Sequence, residues 1–345
     1  MAIRTAILGY GRNGSTMHAG AVEAVDDFRL TAACDIDPAR RDQARNRFGC
    51  RVFEDYHRML AEEELDLVVI VTRSDQHCAM ACDCLRAGVD VLVTKPWCVD
   101  EDEARAMLAA RDASGRHLYP WLPARWGADL LRVRERIDQG AVGRVFRVRR
   151  VQCSFATRND WQTLRRHGGG YLLNWGPHVV DTGLLAAGGT PKRVCGHLDQ
   201  VMNPGDAEDI FFAAITTDTG VLLTAEYTVS PEPLPTWVVQ GTRGMITVRG
   251  RDLQVVSGAP RQPEDPTAYG GMVGRGLDTQ SERIEGALFG DAEEVYRCLA
   301  AAMHGRRPFP VTTDDALALT RVLDAIRTAA LENRAIMLDA DEDRP

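Results

Sequence analysis

Apolar and polar positions alternate in blocks over the first 120 residues. Apolar runs with the length of buried strands lie at residues 3–8, 30–34, 51–53, 65–71 and 89–93. Helix-like stretches separate them, at residues 15–25, 38–48, 56–61, 77–87 and 100–110. Strands that alternate with helices in this way form a parallel sheet with helices on both faces. The pattern therefore predicts a doubly wound α/β domain over residues 1–120.

The alternation stops after residue 120, and the pattern changes to strands grouped together and flanked by helices. Strand-like runs lie at residues 145–151, 210–216, 221–227, 237–240 and 245–249, and helical patterns at residues 129–139, 178–187, 291–304 and 314–333. This order predicts a second, α+β domain over residues 121–345, built on a mostly antiparallel sheet. Residues 251–276 are rich in Gly, Pro and Arg, and are predicted to form a long loop, a lid or a subunit contact.

A glycine-rich turn joins the first predicted strand to the first helix. It reads Gly9-Tyr10-Gly11-Arg12-Asn13-Gly14, and Asp35 ends the next strand about 20 residues later. Glycines at this spacing let the backbone approach a pyrophosphate at a helix N-terminus, and the acidic residue accepts a hydrogen bond from the ribose. The turn predicts a Rossmann domain that binds NAD through Gly9, Gly11, Arg12, Asn13, Gly14 and Asp35. Asp35 favours NAD over NADP because it repels a 2′-phosphate, while Arg40 and Arg41 leave NADP possible.

Lysine is rare in this chain, and one of the two lysines lies where ligands bind. Of the 41 basic residues only Lys95 and Lys192 are lysine. Arginine stays protonated at any working pH, so proton transfer by an amine requires lysine. Lys192, in a Gly-Gly-Thr-Pro-Lys loop, is typical of a surface charge, whereas Lys95 follows the strand at residues 89–93, at the sheet edge where ligands lie. Lys95 is thus a candidate catalytic residue, the alternative being a lysine that ties the strand end to the next helix.

Composition excludes several classes of function. With 345 residues, 45% of them hydrophobic, the chain is long enough for two domains. A net charge of -8 without a concentrated basic face argues against a nucleic-acid partner. The chain shows no signal peptide and no apolar stretch near 18 residues, and its nine cysteines form no disulfide pattern. These features predict a cytoplasmic protein with no membrane partner. Cys78, Cys82 and Cys84 lack zinc spacing, so no metal site is predicted.

Motifs along almost the whole chain resemble those of the Gfo/Idh/MocA oxidoreductases, a family that includes glucose-fructose oxidoreductase and inositol dehydrogenases. The motifs are the glycine turn, Thr72 to His77, Lys95-Pro96, Trp161, Gly168-Gly-Gly-Tyr-Leu-Leu-Asn174-Trp175-Gly-Pro-His178-Val-Val-Asp181 and Gly241-Thr-Arg-Gly244. The resemblance implies a Rossmann domain followed by a domain with a large open-faced sheet. It also implies hydride transfer at a sugar or cyclitol carbon, and homodimers or homotetramers formed through the open sheet.

The resemblance assigns roles to individual residues. It implies catalytic roles for Lys95, His178 and Asn174, cofactor contacts for Thr72, Ser74, His77, Thr94, Lys95 and Pro96, and substrate contacts for Lys95, Arg125, Trp161, Asn174, Trp175, His178 and Asp181. Asp181 either contacts the substrate or holds His178, and the tryptophans are alternatively core residues. The chain departs from the family pattern at Arg73 and Ser74, at Thr94, where the family has Glu, and at Asn174, where it has Asp.

Together these features predict an NAD(P)-dependent oxidoreductase that acts on a secondary hydroxyl or ketone of a sugar, cyclitol or sugar derivative. In this hypothesis a base takes the hydroxyl proton while hydride moves to the nicotinamide, and a small sugar or polyol is the partner. Two alternatives remain open. One is an NAD-dependent enzyme that cleaves glycosides or eliminates by transient oxidation of the sugar. The other is a non-catalytic sensor that binds NAD and sugar.

Overall fold

The computed structural model describes residues 2–258, 267, 269 and 276–338, and its first sheet is parallel. The strand order is β3-β2-β1-β4-β5-β6, with helical connections between neighbours in the chain. The strands are β1 (Ile3–Leu8), β2 (Phe28–Cys34), β3 (Arg51–Phe53), β4 (Leu67–Ile70), β5 (Asp90–Val93) and β6 (Leu118–Pro120). The order reverses at β1, as in a Rossmann fold, so the predicted doubly wound sheet is confirmed.

Five helices among the described residues flank this sheet: α1 (Ala19–Ala24), α2 (Pro38–Phe48), α3 (Tyr56–Glu62), α4 (His77–Arg86) and α5 (Glu101–Ser114). A π-helical turn, Gly14–His18, leads into α1. Asp100 caps the start of α5, since its carboxylate accepts a hydrogen bond from Glu103 N at 2.9 Å. The Glu103 carboxylate reaches back to Val99 N, one residue before Asp100. The cap fixes the start of α5 just after the Lys95-Pro96 segment.

The second sheet has nine strands in the order β14-β13-β12-β11-β7-β10-β9-β8-β15. It is antiparallel except where β7 pairs with β10, so the predicted mostly antiparallel sheet is confirmed. Its strands are β7 (Val145–Ser154), β8 (Pro191–Asp199), β9 (Ile210–Thr217), β10 (Leu222–Val229), β11 (Trp237–Gly241), β12 (Gly244–Arg249), β13 (Asp252–Ser257), β14 (Asp278–Arg283) and β15 (Ile336–Met337).

Two predicted elements of this domain have other bounds in the structure. Strand β13 occupies the start of the segment predicted as a loop at residues 251–276, and residues 259–266, 268 and 270–275 of that segment lie outside the described residues. The helix predicted from residue 178 begins seven positions earlier in the sequence, at Tyr171, and contains Pro177. The helices here are α6 (Ala128–Asp138), α7 (Tyr171–Ala187), α8 (Ala292–Met303) and α9 (Thr313–Glu332).

The helices cover one face of the second sheet. Helix α7 lies across β7 and β10, while α9 packs against β8 and also against α5 of the first domain. On β9 the buried Phe211, Ala213 and Ile215 alternate with Phe212 and Ala214, which point to the uncovered face. The last helix thus contacts elements of both sheets, and β6, the last strand of the first sheet, ends at Pro120. No helix of the described residues is long and apolar enough to cross a membrane.

Candidate active site

The glycine turn after β1 is shaped by backbone contacts that only glycine permits. Gly9 has a φ of 92°, and a Cβ there would lie 2.8 Å from the carbonyl carbon of Val71. A Cβ on Gly14 would overlap the carbonyl oxygen of Gly9, whereas one on Gly11 would meet nothing within 4 Å. Gly9 and Gly14 therefore hold the turn against the sheet, and Gly11 leaves open space in front of it.

Asp35 lies at the end of β2, beside this turn. Its carboxylate accepts hydrogen bonds from Tyr10 N at 2.8 Å and from Asp37 N at 2.9 Å. Arg41 donates to the carbonyl oxygens of Asp35 and Ile36 at 2.8 and 2.9 Å. These two hydrogen bonds hold its guanidinium against the backbone that follows β2. The predicted ribose-binding acid and the glycine turn are thus brought together, and Arg12 and Asn13 are exposed on the outside of the turn.

The predicted cofactor residues after β4 and β5 mostly turn into the protein. Ser74 and His77 are each 1% exposed, and Thr94 donates its hydroxyl to Ile70 O at 2.9 Å. The two ring nitrogens of His77 lie 2.8 Å from Pro96 O and 3.2 Å from Thr72 O. The side chains of His77 and Thr94 thus join the ends of β4 and β5 beside Lys95, and the cofactor contacts of these residues and of Ser74 stay predictions.

Lys95 meets Asn174 between the two domains. Its Nζ donates to Asn174 O and to Asn174 Oδ1, each at 2.7 Å, so a residue at the end of β5 is joined to the first turn of α7. Burial, together with the charges of Arg158 and Arg12, lowers the pKa of Lys95 to about 7. The contact brings together two of the three predicted catalytic residues, and the amine exchanges its proton near neutral pH.

His178 lies one turn further along α7. Burial, with the positive charges of Lys95 and Arg150, holds the pKa of its imidazole well below the usual range. Its Nδ1 is buried and has no hydrogen-bond partner among the described residues. The ring contacts Trp175 edge to face, with centroids 5.8 Å apart, and Trp175 stacks on Tyr227. The imidazole is thus neutral, and its Nδ1 can form a hydrogen bond with a bound ligand.

Asp181 does not hold His178, contrary to one of the two predicted roles. Arg125 takes both of its oxygens, donating Nε to Oδ2 at 2.9 Å and Nη2 to Oδ1 at 2.8 Å. Arg125 also pairs with Asp315 of α9 at 3.2 Å. Burial raises the pKa of Asp181, and the guanidinium opposes this shift. Arg125, which follows β6, thus joins α7 through Asp181 and α9 through Asp315, and the substrate contacts of Arg125 and Asp181 stay predictions.

Comparison with known proteins decides the family. A family model described as an oxidoreductase family with an NAD-binding Rossmann fold matches residues 3–120, and the Gfo/Idh/MocA C-terminal domain model matches residues 130–247. The chain belongs to the Gfo/Idh/MocA oxidoreductase family. Its first domain is an NAD-binding Rossmann domain, and the resemblance found in the motifs is confirmed.

Some relatives match almost all of this Gfo/Idh/MocA chain, and others match part of it. The scyllo-inositol 2-dehydrogenase (NADP(+)) IolW of Bacillus subtilis (strain 168) is 25% identical over 351 residues, which cover 98% of this chain and 96% of that protein. The inositol 2-dehydrogenase of Rhizobium meliloti (strain 1021) is 32% identical over 145 residues, or 42% of this chain and 43% of that protein. A solved NAD-binding protein from Listeria innocua has a TM-score of 0.84 at 25% identity, covering 98% of this chain and 97% of that one.

Sequence reasoning missed one residue of this Gfo/Idh/MocA chain, Arg158, whose positive charge lowers the pKa of Lys95. Arg158 follows β7 and pairs with Asp160 at 2.9 Å, and Asp160 also accepts from Gln162 N to cap the short turn that carries Trp161. Trp161 is partly exposed on this turn. The only signal for Arg158 was its place three residues before Trp161, since the contacts that hold it come from distant segments.

In the described ranges, no three His, Cys, Asp or Glu side chains are grouped so as to hold a metal ion. Cys82 and Cys84 are buried in α4, as expected of small core residues, and Cys78 is partly buried.

Proposed function

We propose that this oxidoreductase moves hydride between NAD(P) and a secondary hydroxyl or ketone of a sugar, cyclitol or sugar derivative, with Lys95 as the proton-transfer group. The contact between Lys95 Nζ and the two Asn174 oxygens carries the proposal. A lysine paired with a carboxylate would keep a high pKa, because the negative charge stabilises the ammonium. Lys95 instead has two neutral acceptors and a pKa of about 7, which suits a general acid or base.

The residues of the glycine turn fit a dinucleotide. Gly11 leaves open space directly in front of the turn, and Gly9 and Gly14 hold the backbone at the start of the π-helical turn. N–H groups at a helix start favour the negative charge of a pyrophosphate. Asp35 would hold the ribose, and Lys95 and Pro96 lie at the carboxyl end of β5, where the nicotinamide is expected. When bound, the cofactor supplies the hydride acceptor.

Two N–H bonds to Asn174 orient the Lys95 amine for proton transfer. A neutral amine has two N–H groups and one lone pair. The two Asn174 oxygens accept one hydrogen bond from each N–H group. The lone pair then points to the remaining tetrahedral position, where it takes the proton of a substrate hydroxyl as hydride leaves the carbon. In the reverse direction the third N–H of the ammonium donates to the ketone oxygen. Asn174 thus acts on the reaction by directing Lys95.

His178 serves as the second polar group at the reacting carbon. Its neutral imidazole, with Nδ1 free of partners among the described residues, is suited to a hydrogen bond with the same hydroxyl or its neighbour. Trp175, stacked on Tyr227, and Trp161 at the loop offer flat faces to a sugar ring. The names of the inositol dehydrogenase relatives support a cyclitol or sugar as the substrate.

We also propose that the protein prefers NAD to NADP and forms homodimers or homotetramers through the open face of the second sheet. Asp35 supports the cofactor preference, since its carboxylate repels a 2′-phosphate. Arg41 is already bound to backbone oxygens, which leaves its guanidinium less free to meet a phosphate. IolW is named for NADP(+), so the ratio of kcat/KM for the two cofactors is the measurement that decides; a ratio in favour of NADP contradicts the assignment of Asp35.

The experiment that tests the reaction follows the absorbance of reduced nicotinamide over a panel of inositols, aldoses, amino sugars and glycosides. Reduction of NAD by at least one member, with a ketone as the product, is the expected result. Tight binding of NADH without turnover on any member would favour the non-catalytic sensor. Release of an aglycone without net NADH would favour the glycoside-cleaving enzyme.

A further inference from the structure

An exposed phenylalanine lies against the aromatic side chains of the candidate active site. Phe289 belongs to the loop between β14 and α8, and its ring contacts Trp175 edge to face, with centroids 6.0 Å apart. The residue is 44% exposed. Neither the sequence motifs nor the proposed mechanism gives Phe289 a role.

Trp175 connects Phe289 to the proposed catalytic residues. On α7, Trp175 directly follows Asn174 and lies three positions before His178, so the three side chains lie on one side of the helix. The Trp175 ring contacts the His178 ring with centroids 5.8 Å apart, and the Asn174 oxygens bind Lys95 Nζ. One ring contact thus joins the imidazole to Trp175, and a second joins Trp175 to Phe289.

Buried aromatic residues hold Trp175 in place. Tyr227, which is 3% exposed, stacks on Trp175 with centroids 5.3 Å apart. The Tyr227 hydroxyl lies 2.6 Å from Ser154 Oγ, and its ring contacts Tyr171 edge to face with centroids 4.6 Å apart. These contacts fix the plane of the indole. The part of Trp175 that remains accessible therefore has a defined position beside His178.

The backbone on both sides of Phe289 is closely packed. A Cβ on Gly127 would lie 2.5 Å from the carbonyl oxygen of Leu288, the residue before Phe289. A Cβ on Gly290, the residue after it, would overlap the carbonyl oxygen of Pro123. The loop is thus seated against the segment that follows β6. It presents the exposed ring of Phe289 from an ordered backbone, next to Trp175.

These two rings suit a ring on the ligand. Aromatic side chains bury a large apolar area and favour stacked or edge-to-face neighbours. A flat apolar ring placed against Trp175 and Phe289 would remove that area from water, which stabilises the complex. In the proposed reaction, Lys95 and His178 bind the hydroxyl that is oxidised. A second ring, joined to the sugar by a glycosidic bond, would then extend past Trp175 to Phe289.

We propose that Trp175 and Phe289 form a subsite for the aglycone of a glycoside, and that this aglycone presents an apolar ring. The inference rests on the proposed function and narrows its substrate class from sugars in general to glycosides of this kind. Trp175 contacts both the sugar and the aglycone in this arrangement. Phe289 contacts the aglycone alone, so it determines specificity without taking part in proton transfer.

The test compares glycosides that share a sugar and differ in the aglycone. The pairs are phenyl with methyl β-D-glucopyranoside, and phenyl with methyl β-D-galactopyranoside. Binding to the enzyme–NADH complex is measured by nucleotide fluorescence, and turnover by NAD reduction, for the wild type, Phe289→Ala and Phe289→Tyr. Phe146→Ala is the control, because it makes the same exchange at a residue that is 42% exposed, at the far end of β7 from Ser154.

The expected result is that, in at least one pair, the phenyl glycoside binds roughly tenfold or more tightly than its methyl partner. Phe289→Ala should weaken the phenyl glycoside by roughly fivefold or more and the methyl glycoside by less than about twofold. Phe289→Tyr keeps the ring and should keep the preference. Phe146→Ala should change neither ligand, and thermal melting of each variant checks the fold.

Three outcomes overturn the inference. The first is a wild type that binds neither phenyl glycoside more tightly than its methyl partner. The second is a Phe289→Ala variant that binds both members of a pair as the wild type does, or loses both equally. The third is a lower mass of Phe289→Ala than of the wild type in light scattering, which would assign Phe289 to a contact between copies of the chain.

Turnover separates failure of this inference from failure of the proposed function. Oxidation of sugars in the wider panel without a preference for phenyl glycosides removes the aglycone subsite and leaves the dehydrogenase reaction. A phenyl preference that depends on Phe289, without turnover of any member of the panel, leaves the subsite and removes the proposed reaction.

Discussion

At the scale of single residues, the proposed role of Lys95 in proton transfer predicts how the rate depends on pH. The amine loses its proton as pH rises through about 7, because burial and two arginines disfavour the ammonium. Oxidation of an alcohol requires the neutral amine, so kcat/KM in that direction should rise with pH and level off above about 7. Reduction of the ketone requires the ammonium and should show the opposite dependence. Profiles that are flat from pH 5 to 9 in both directions would contradict this role.

Replacement of Lys95 by arginine keeps the positive charge and removes the exchangeable proton. We expect Lys95→Arg to lower kcat by roughly a hundredfold or more, since a guanidinium does not act as a base at working pH. NADH affinity should stay nearly unchanged. Lys192→Arg is the matched control, because it makes the same exchange in a residue outside the site and should leave kcat as it is. Turnover of Lys95→Arg within a few-fold of the wild type would make Lys95 a structural residue.

Asn174 is the residue where this chain departs from its family, and its contact with Lys95 predicts the effect of restoring an aspartate. A carboxylate at the position of Oδ1 would stabilise the ammonium and raise the pKa of Lys95. The acid limb of the kcat/KM profile for alcohol oxidation should therefore move about 1–2 pH units higher in Asn174→Asp. Asn46→Asp, which introduces the same charge on the exposed face of α2, should leave the limb in place. An unmoved or lowered limb in Asn174→Asp would contradict the contact.

Sequence reasoning found the residues of the site that lie within local motifs and missed those that depend on distant segments. Lys95, Asn174 and His178 were predicted together, but the contact between the Asn174 side chain and Lys95 Nζ was not, because the two residues lie 79 positions apart in the sequence. Arg158 was missed because its backbone N–H is bound by Asn203, which lies 45 positions further along the sequence. The pairing of Asp181 with Arg125 was likewise missed, because the two residues lie 56 positions apart and no local pattern connects them.

At the scale of elements, different glycines of the turn are expected to affect the stability of the fold and the binding of the cofactor. Gly14→Ala should lower the free energy of unfolding by about 3 kcal/mol or more, since the new Cβ would overlap Gly9 O. Gly11→Ala should leave stability nearly unchanged and weaken NADH binding by roughly tenfold or more, because its Cβ would enter the open space in front of the turn.

Gly20→Ala is the control for both glycine variants. Gly20 lies in α1, and a Cβ there meets nothing within 4 Å, so alanine should raise stability by about 0.5–1 kcal/mol and leave NADH affinity unchanged. Chemical denaturation and a fluorescence titration with NADH give the two quantities for each variant. Equal NADH affinity in Gly11→Ala and the wild type would place the cofactor away from the turn.

Elements with strong periodic patterns were predicted to within a few residues, and the missed ones have identifiable reasons. Strand β14 reads Asp-Thr-Gln-Ser-Glu-Arg and has no apolar face, so only its pairing with β13 makes it a strand. Strand β8 contains Pro191 and two basic residues. The first turns of α7 precede Gly176-Pro177, which usually ends a helix, and they persist because Leu172 and Leu173 are buried.

At the scale of the whole molecule, the uncovered face of the second sheet is the expected surface for self-association. Phe212 is 39% exposed on this face, in the middle of β9. If two copies pack through it, Phe212→Glu should shift the mass measured by light scattering from a dimer or tetramer toward the monomer. Leu331→Glu, at an exposed residue near the end of α9, should leave the mass unchanged. A wild-type protein that is monomeric at micromolar concentration would contradict the proposed assembly.

The position of α9 has a further consequence, for the cooperativity of unfolding. The helix lies against β8 of one sheet and α5 beside the other, and Arg111 of α5 donates to Thr313 at its start with Nη1–Oγ1 of 2.5 Å. Neither sheet can lose its packing without exposing the apolar side of this helix, which includes Leu319, Val322 and Ile326. Urea should therefore unfold the Rossmann domain and the second domain in a single transition. Tryptophan fluorescence and far-UV circular dichroism should report the same midpoint.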